Sequence, residues 1–192
     1  MKAKKIRRRL EKSLTERRIA SLMRDAFDET FIDGFVIGLS DDWIILHVLN
    51  NGVYLDDLVF LRLQDVSRVR FRDDDPYHYR AIADLGKDVA ELDYDGPFTP
   101  VDLLREASRR ADIFAVYAEV LVDDLFIGTP VDFRKKSLDF HYVGRDGVWA
   151  REVDRIKYRD ITRIDVGGRY LEALNRYADP YPELGSATDV DL

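Results

Sequence analysis

Residues 31–71 align with residues 126–166 at a constant offset of 95, without a gap. Eight of the 41 positions are identical: Phe31/Phe126, Ile32/Ile127, Val36/Val131, Val48/Val143, Gly52/Gly147, Val53/Val148, Asp65/Asp160 and Arg68/Arg163. Similar pairs add to them, among them Tyr54/Trp149, Leu61/Ile156, Val66/Ile161, Ser67/Thr162 and Val69/Ile164. The densest stretch is LRLQDVSRVRF against IKYRDITRIDV. An internal repeat constrains the fold more than composition does, because each copy is one unit that must close its own core or share one with its neighbour.

Each copy places a turn signal at an equivalent point, NNG at 50–52 and RDG at 145–147. Gly52 and Gly147 can take the positive φ that tight hairpins require. β-formers flank the first turn, WIILHVL before it and VYLDDLVFLRL after it. Past the match both copies run through a breaker into a Tyr-rich helical stretch, DDDPYHYRAIADL and GGRYLEALNRY. The pattern predicts two small β-units of four or five short, bent strands, each ending in a short helix. A two-stranded hairpin is not stable alone, so the strands must curl over a shared core. Closure into a small barrel removes the edges. Two separate barrels are the first expectation, and a continuous sandwich in which the copies share a sheet is the other.

Helices frame these units. Residues 6–27 carry Ile6, Leu10, Leu14, Ile19, Leu22, Met23, Ala26 and Phe27 on a roughly helical period, with a slip between Leu14 and Ile19. Ser13-Leu-Thr-Glu16 is a capping-box pattern, so a helix can begin afresh there. Thr99 followed by Pro100 predicts a second helix running to about Arg110. Residues 112–119 read as an extra strand. The expected organisation is a basic amphipathic N-terminal helix at 1–29, a first small β-barrel unit at 30–95, an inter-repeat helix plus second unit at 96–178, and a loose acidic tail at 179–192. The fold class is mainly β with flanking helices, α+β.

GFVIGLSDDWIILH, followed by LDDLVFLRLQDV, resembles the start of a group of uncharacterised bacterial proteins, and RDITRIDVGGRYLEAL resembles their second half. Such proteins resemble tandem small barrels of the Sm-like type. The likeness spans roughly residues 30–175, and its most specific pieces are the DDW turn and the DITR…GGRY segment. It implies a fold and brings no assigned activity. The Asp-x-aromatic/aliphatic-Met-Asn loop and the Arg-Gly turn with which RNA-binding Sm proteins hold a base are both missing, so the barrel does not carry that pocket with it.

Charge is split unevenly. The chain holds 30 Lys plus Arg and 37 Asp plus Glu, net −7. Nine of the basic and two of the acidic residues fall in residues 1–18, so this segment is +7 and the rest −14. Lys4, Lys5, Arg7, Arg8 and Arg9 are the candidate nucleic-acid or anion arm. An anionic membrane surface is a further candidate for it. The apolar stripe inside the arm, Ile6, Leu10 and Leu14, points instead to docking on the acidic body or on a partner copy.

Candidate chemistry is sparse. There is no cysteine, which excludes disulfides, thiol catalysis and cysteine-ligated zinc. No GxSxG elbow and no phosphate-cradling glycine loop occurs. His47, His78 and His141 share no ligand spacing; in the alignment His47 and His141 fall one position apart, on opposite faces of their strands. The acidic runs at 41–42, 56–57, 73–75 and 123–124 lack EF-hand spacing. Gly167-Gly168 reads as a tight turn needing positive φ, or as an anion nest before a helix. Asp65 and Asp160, each in Asp-[Val/Ile]-[Ser/Thr]-Arg, read as side-chain caps of a turn, with Arg68 and Arg163 in surface ion pairs. Trp149, Tyr158 and Tyr170 are the candidate interaction aromatics, with Tyr142 and Tyr177 beside them. No cofactor, metal, catalytic residue or membrane span is expected. The expectation is a cytoplasmic, non-enzymatic protein-interaction or scaffold module, able to self-associate as a homodimer. The alternative is a nucleic-acid-binding protein using the basic arm.

Overall fold

The computed structural model describes residues 3–72, 76–85, 88–92, 98–120 and 125–182. The acidic runs at 73–75 and 123–124, the breakers Gly86, Gly96 and Pro97, and most of the acidic tail lie outside them. The described chain is mainly β with four helices, and its ten strands form one antiparallel sheet that does not close. Among the described residues no helix is long and apolar enough to cross a membrane.

The element order is helix α1 (Ala3–Glu16), strands β1 (Ile19–Met23), β2 (Ile32–Leu39), β3 (Trp43–Asn50), β4 (Tyr54–Arg62) and β5 (Arg68–Phe71), and helix α2 (Pro76–Asp84). The same succession follows: α3 (Pro100–Arg110), β6 (Phe114–Tyr117), β7 (Leu125–Phe133), β8 (Ser137–Val143), β9 (Trp149–Lys157), β10 (Arg163–Val166) and α4 (Arg169–Tyr177). One turn of 3-10 helix, Leu63–Asp65 or Tyr158–Asp160, precedes the last strand of each half. Across the sheet the order is β5-β1-β2-β3-β4-β10-β6-β7-β8-β9, so the halves present the same strand order and meet where β4 pairs with β10. Of the two expected arrangements, the structure has the halves sharing a sheet.

Local chemistry accounts for the boundaries. Thr99 caps α3: its hydroxyl accepts from the Asp102 N–H and the Asp102 carboxylate accepts from the Thr99 N–H, with Pro100 in the first turn. The expectation of an N-terminal helix over 1–29, with a fresh start possible near Ser13, is corrected: α1 ends at Glu16 and a strand follows. Arg17 takes φ 49 and the Arg18 N–H donates to the Ser13 carbonyl at 3.1 Å, the six-to-one closure that ends a helix. Ser13 therefore ends α1 instead of starting a new helix, and Ile19, Leu22 and Met23 belong to a strand. Between β2 and β3 the Ser40 hydroxyl accepts from the Trp43 N–H at 3.0 Å, which shapes the DDW turn.

The gapless offset of 95 holds only in part. It relates β4 to β9, the 3-10 turns to each other, and β5 to β10. Upstream of the NNG and RDG turns the registers match at 94: Gly34 opposes Val48 as Gly128 opposes Tyr142, and His47 opposes Leu58 as His141 opposes Val153. His47 and His141 are therefore matched positions, a correction to the opposite-face expectation. In strands of period two a one-residue slip exchanges the faces, which is why Val36 is 3% exposed and Val131 41%.

Two large cores sit on the sheet, beside two smaller clusters around Phe35 and Val143. Ile6 and Leu10 of α1 close one over Leu22, Ile44, Val59 and Leu61. Leu103, Leu104 and Ala107 of α3 close the other, which draws Trp43, Ile45, Leu58 and Phe60 from the first half and Phe114, Phe140 and Ile164 from the second. Helix α1 is thus docked on its own body. Leu10 is 0% exposed, so Leu10→Ala is expected to lower stability by about 2–5 kcal/mol, read as a shift in the urea midpoint at unchanged slope.

Candidate interaction surface

β4 and β9 hold matching places in the two halves and are both nine residues long. β4 is covered, because β10 runs along it from Leu61↔Arg163 to Leu58↔Val166, and Leu58 to Leu61 are all buried. Among the described residues β9 ends the sheet, with no strand on its outer side. Ala150 to Arg155 and Lys157 are exposed, and Ile156 is the buried residue of this strand. The opposite end of the sheet is β5. The open edge is braced from behind: Asp139 on β8 accepts from Arg155 Nε at 2.8 Å and from Arg134 Nε at 2.6 Å. Those hydrogen bonds hold the Asp139 carboxyl down at about 2.

The halves are tied by charge as well as by the β4·β10 ladder. Arg24, 0% exposed, pairs with Glu119, which also accepts from the Thr162 hydroxyl at 2.5 Å. On the other side Asp165 accepts from Arg163 at 2.6 and 2.7 Å and from the Tyr117 hydroxyl at 3.1 Å. Asp57 of β4 lies against this group. Burial, and then the charge of Asp165, pushes the Asp57 carboxyl up to about 6. A raised carboxyl marks catalytic sites and buried structural clusters alike. Asp165, Arg163 and Tyr117 are bonded to one another, which makes this group a clasp between β4, β6 and β10.

The sequence-picked residues fall in several places. In the basic arm, Arg7 reaches Asp41 at 3.0 Å and the Ser40 carbonyl at 3.2 Å, and Arg9 donates to the Val69 carbonyl. Lys4, Lys5 and Arg8 are exposed. Gly52 and Gly147 take φ 78 and 79, and Gly167 and Gly168 take 84 and 81. A Cβ on Gly168 would stand 3.4 Å from the Asp57 Cβ, so the anion beside that pair is the chain's own. Asp65 accepts from Arg62 at 2.7 and 3.1 Å and Asp160 pairs with Arg159 at 3.4 Å. Ion pairs thus stand where turn caps were expected, and Arg163 is paired within the sheet, not on the surface.

The aromatics divide. The Trp149 indole N–H donates to the Asp179 carbonyl at 2.8 Å, the Tyr158 hydroxyl donates to the Arg134 carbonyl at 2.9 Å, and Tyr170 is 49% exposed. The matched histidines hold the segments that follow α2 and α4. His47 Nδ1 accepts from the Ala90 N–H at 2.9 Å; His141 Nε2 bonds the Ala150 carbonyl at 2.7 Å and its ring packs on Tyr181. His78 bonds Arg72 at 3.0 Å. Among the described residues no three of His, Asp or Glu converge as metal ligands. A groove of about 660 Å³ opens between α1 and the two 3-10 turns, lined by Arg7, Trp43, Arg62, Val66, Tyr158 and Ile161 among others.

Two features were missed in the sequence. Arg24 and Glu119 stand 95 residues apart in the chain, and no local pattern joins them. The signal of the open β9 edge is the polar stretch VDRI at 153–156, which stands where the first copy has LVFL at 58–61.

The raised Asp57 carboxyl gives stability a sign. As pH rises from about 4 to about 6 the unfolded chain releases this proton before the folded chain does, so Asp57 costs stability above that window. Asp57→Asn is neutral at every pH. It is expected to stabilise the protein by about 1–3 kcal/mol at pH 8, with little change at pH 4, measured by urea titration of both chains at the two pH values. No protein-family model, curated protein or solved structure matches the chain.

Proposed function

We propose that this chain is a non-enzymatic protein-interaction or scaffold module, built as two units of the Sm-like small-barrel type joined in one sheet, and that it binds by strand addition at β9. A cytoplasmic setting agrees with the absence of cysteine. The observation that carries the reading is β9 itself. It is a nine-residue strand at the end of the sheet with Ala150 to Arg155 and Lys157 exposed, while the strand in the matching place of the first half is buried under a neighbour. An unpaired strand edge is a ready template for an added strand, with main-chain hydrogen bonds supplying affinity and alternate side chains supplying specificity.

The second reading, nucleic-acid binding through the arm, rests on Lys4, Lys5 and Arg8, which remain exposed on α1 while Arg7 and Arg9 are engaged by the body.

Val153 separates the two. Its counterpart Leu58 presents its backbone to β10. The Arg62 N–H donates to the Thr162 carbonyl at 3.1 Å across that joint, and in an antiparallel ladder every second residue faces the same neighbour. A proline at 153 therefore removes an outward N–H and leaves the β8 ladder intact. Tagged full-length protein is expected to capture protein partners in nuclease-treated lysate, and Val153→Pro is expected to lose them. Capture indifferent to Val153→Pro contradicts the reading. Recovery that nuclease abolishes, and that Lys4→Ala with Lys5→Ala and Arg8→Ala also abolishes, favours the arm.

A further inference from the structure

We infer that the acidic segment 183–192 of this chain docks on the basic face of its own strands β8 and β9, in the place that Leu92 and Phe98 hold on the first half. β8 turns Ser137, Asp139 and His141 to this face, and Lys157, Arg155 and Val153 of β9 stand opposite them. The RKK turn at 134–136 closes one end of it. Arg134, Lys135, Lys136, Arg155 and Lys157 are all exposed. The acids beside them are Asp139 and Asp132, which face each other across β7 and β8. Arg134 pairs with both, at 2.6 and 3.7 Å, and Arg155 pairs with Asp139 at 2.8 Å. Lys135, Lys136 and Lys157 make no ion pair among the described residues, so the face keeps an excess of positive charge.

The first half shows what covers such a face. There the matching residues are apolar: Trp43, Ile45, Leu58 and Phe60 stand where Ser137, Asp139, Val153 and Arg155 stand in the second half. The chain after α2 is anchored at the His47 end, where His47 Nδ1 accepts from the Ala90 N–H at 2.9 Å. Leu92 then packs against the apolar face and Phe98 is buried in it. Phe98 lies over the Gly38 and Ile45 pair, since a Cβ on Gly38 would stand 3.3 Å from its ring and 3.1 Å from Ile45 Cδ1.

The chain after α4 starts the same way. His141 Nδ1 meets the Tyr181 hydroxyl at 3.3 Å, and the Trp149 indole N–H holds the Asp179 carbonyl. Ala90 and Phe98 are eight positions apart, and the same count from Tyr181 reaches Asp189. The place that Phe98 takes on Gly38 and Ile45 corresponds to Asp132 and Asp139, between Arg134 and Arg155. The covering segments differ as their faces do. Leu92 and Phe98 meet an apolar face, whereas residues 183–192 carry Glu183, Asp189 and Asp191 and no Lys or Arg. Length is sufficient, because four strand residues from His141 to Ser137 span about 13 Å and residues 183–192 extend over about 33 Å.

A single exposed ion pair contributes little, so this contact depends on several charges together and is reversible and sensitive to salt. The segment covers side chains on one face of β9 and leaves the outer backbone of the strand open, so docking is independent of strand addition. An acidic partner reaching this face has to displace it.

The chain holds no cysteine, so Ser186→Cys gives the full-length protein one site for a nitroxide label, and broadening of amide NMR lines reads where the label sits. At low salt and low protein concentration the amides of Ser137, Arg155 and Lys157 are expected to lose most of their intensity. Severalfold recovery is expected at about 1 M salt, where the screening length falls to about 3 Å. Asp189→Lys with Asp191→Lys is expected to give the same recovery, and so is Lys135→Glu with Lys136→Glu and Lys157→Glu. Both sets of reversals in one chain are expected to restore the broadening. Broadening confined to the neighbours of Tyr181, or indifferent to salt and to both reversals, overturns the proposal. Equal broadening of an isotope-enriched chain without label, mixed with labelled chain, also overturns it, since the segment of another copy then fills the face.

Discussion

Strand β4 turns Leu58 and Phe60 toward the core closed by α3 and Val59 and Leu61 toward the core closed by α1. The other features of the protein depend on this two-sided burial. A strand buried on both faces must also satisfy its outer backbone groups, because unpaired N–H and C=O groups away from water cost free energy comparable to a lost hydrogen bond. β10 supplies that pairing from the second half of the chain. The two halves are therefore one sheet with a continuous interior, and α3 covers the seam. The buried charges follow from the same geometry. Arg24 and Glu119 sit at one side of the joint, and Asp57 against the Asp165, Arg163 and Tyr117 group at the other.

The asymmetry between the halves follows from the joint. Nearly the same succession of elements produces a buried strand at β4 and an exposed one at β9. The residues match their places: LeuValPheLeu at 58–61 has ValAspArgIle at 153–156. An edge strand with charged side chains is a usual protection against unspecific pairing. The basic arm takes its place in this account as a docked helix whose Arg9 covers one backbone acceptor of β5.

Much of the architecture was legible in the sequence, and the exceptions have physical reasons. Thr99-Pro100 marked α3 to the residue, because capping chemistry is local. The Asp-[Val/Ile]-[Ser/Thr]-Arg segments marked a turn between two strands in each half, since the 3-10 turn there constrains several consecutive residues. IASLM at 19–23 fits both helical and strand spacing, and only the left-handed Arg17 separates them. The RDG hairpin carries one residue more than the NNG hairpin, and a gapless alignment hides that by shifting strands upstream of it, which misplaced His47 against His141. The β4·β10 joint joins residues about a hundred positions apart, and no local pattern announces it. Of the site residues, the turn glycines took their positive φ. Trp149 and Tyr158 were recognised as important aromatics, but their polar atoms hold backbone carbonyls of this chain.

Amide hydrogen exchange tests the joint and the open edge together. The informative amides are Leu58 and Phe60 on β4 and their counterparts Val153 and Arg155 on β9, which differ in whether a strand runs along them. The account predicts slow exchange, near the global unfolding limit, for the first pair and fast exchange for the second. Equal protection of the two pairs would contradict it.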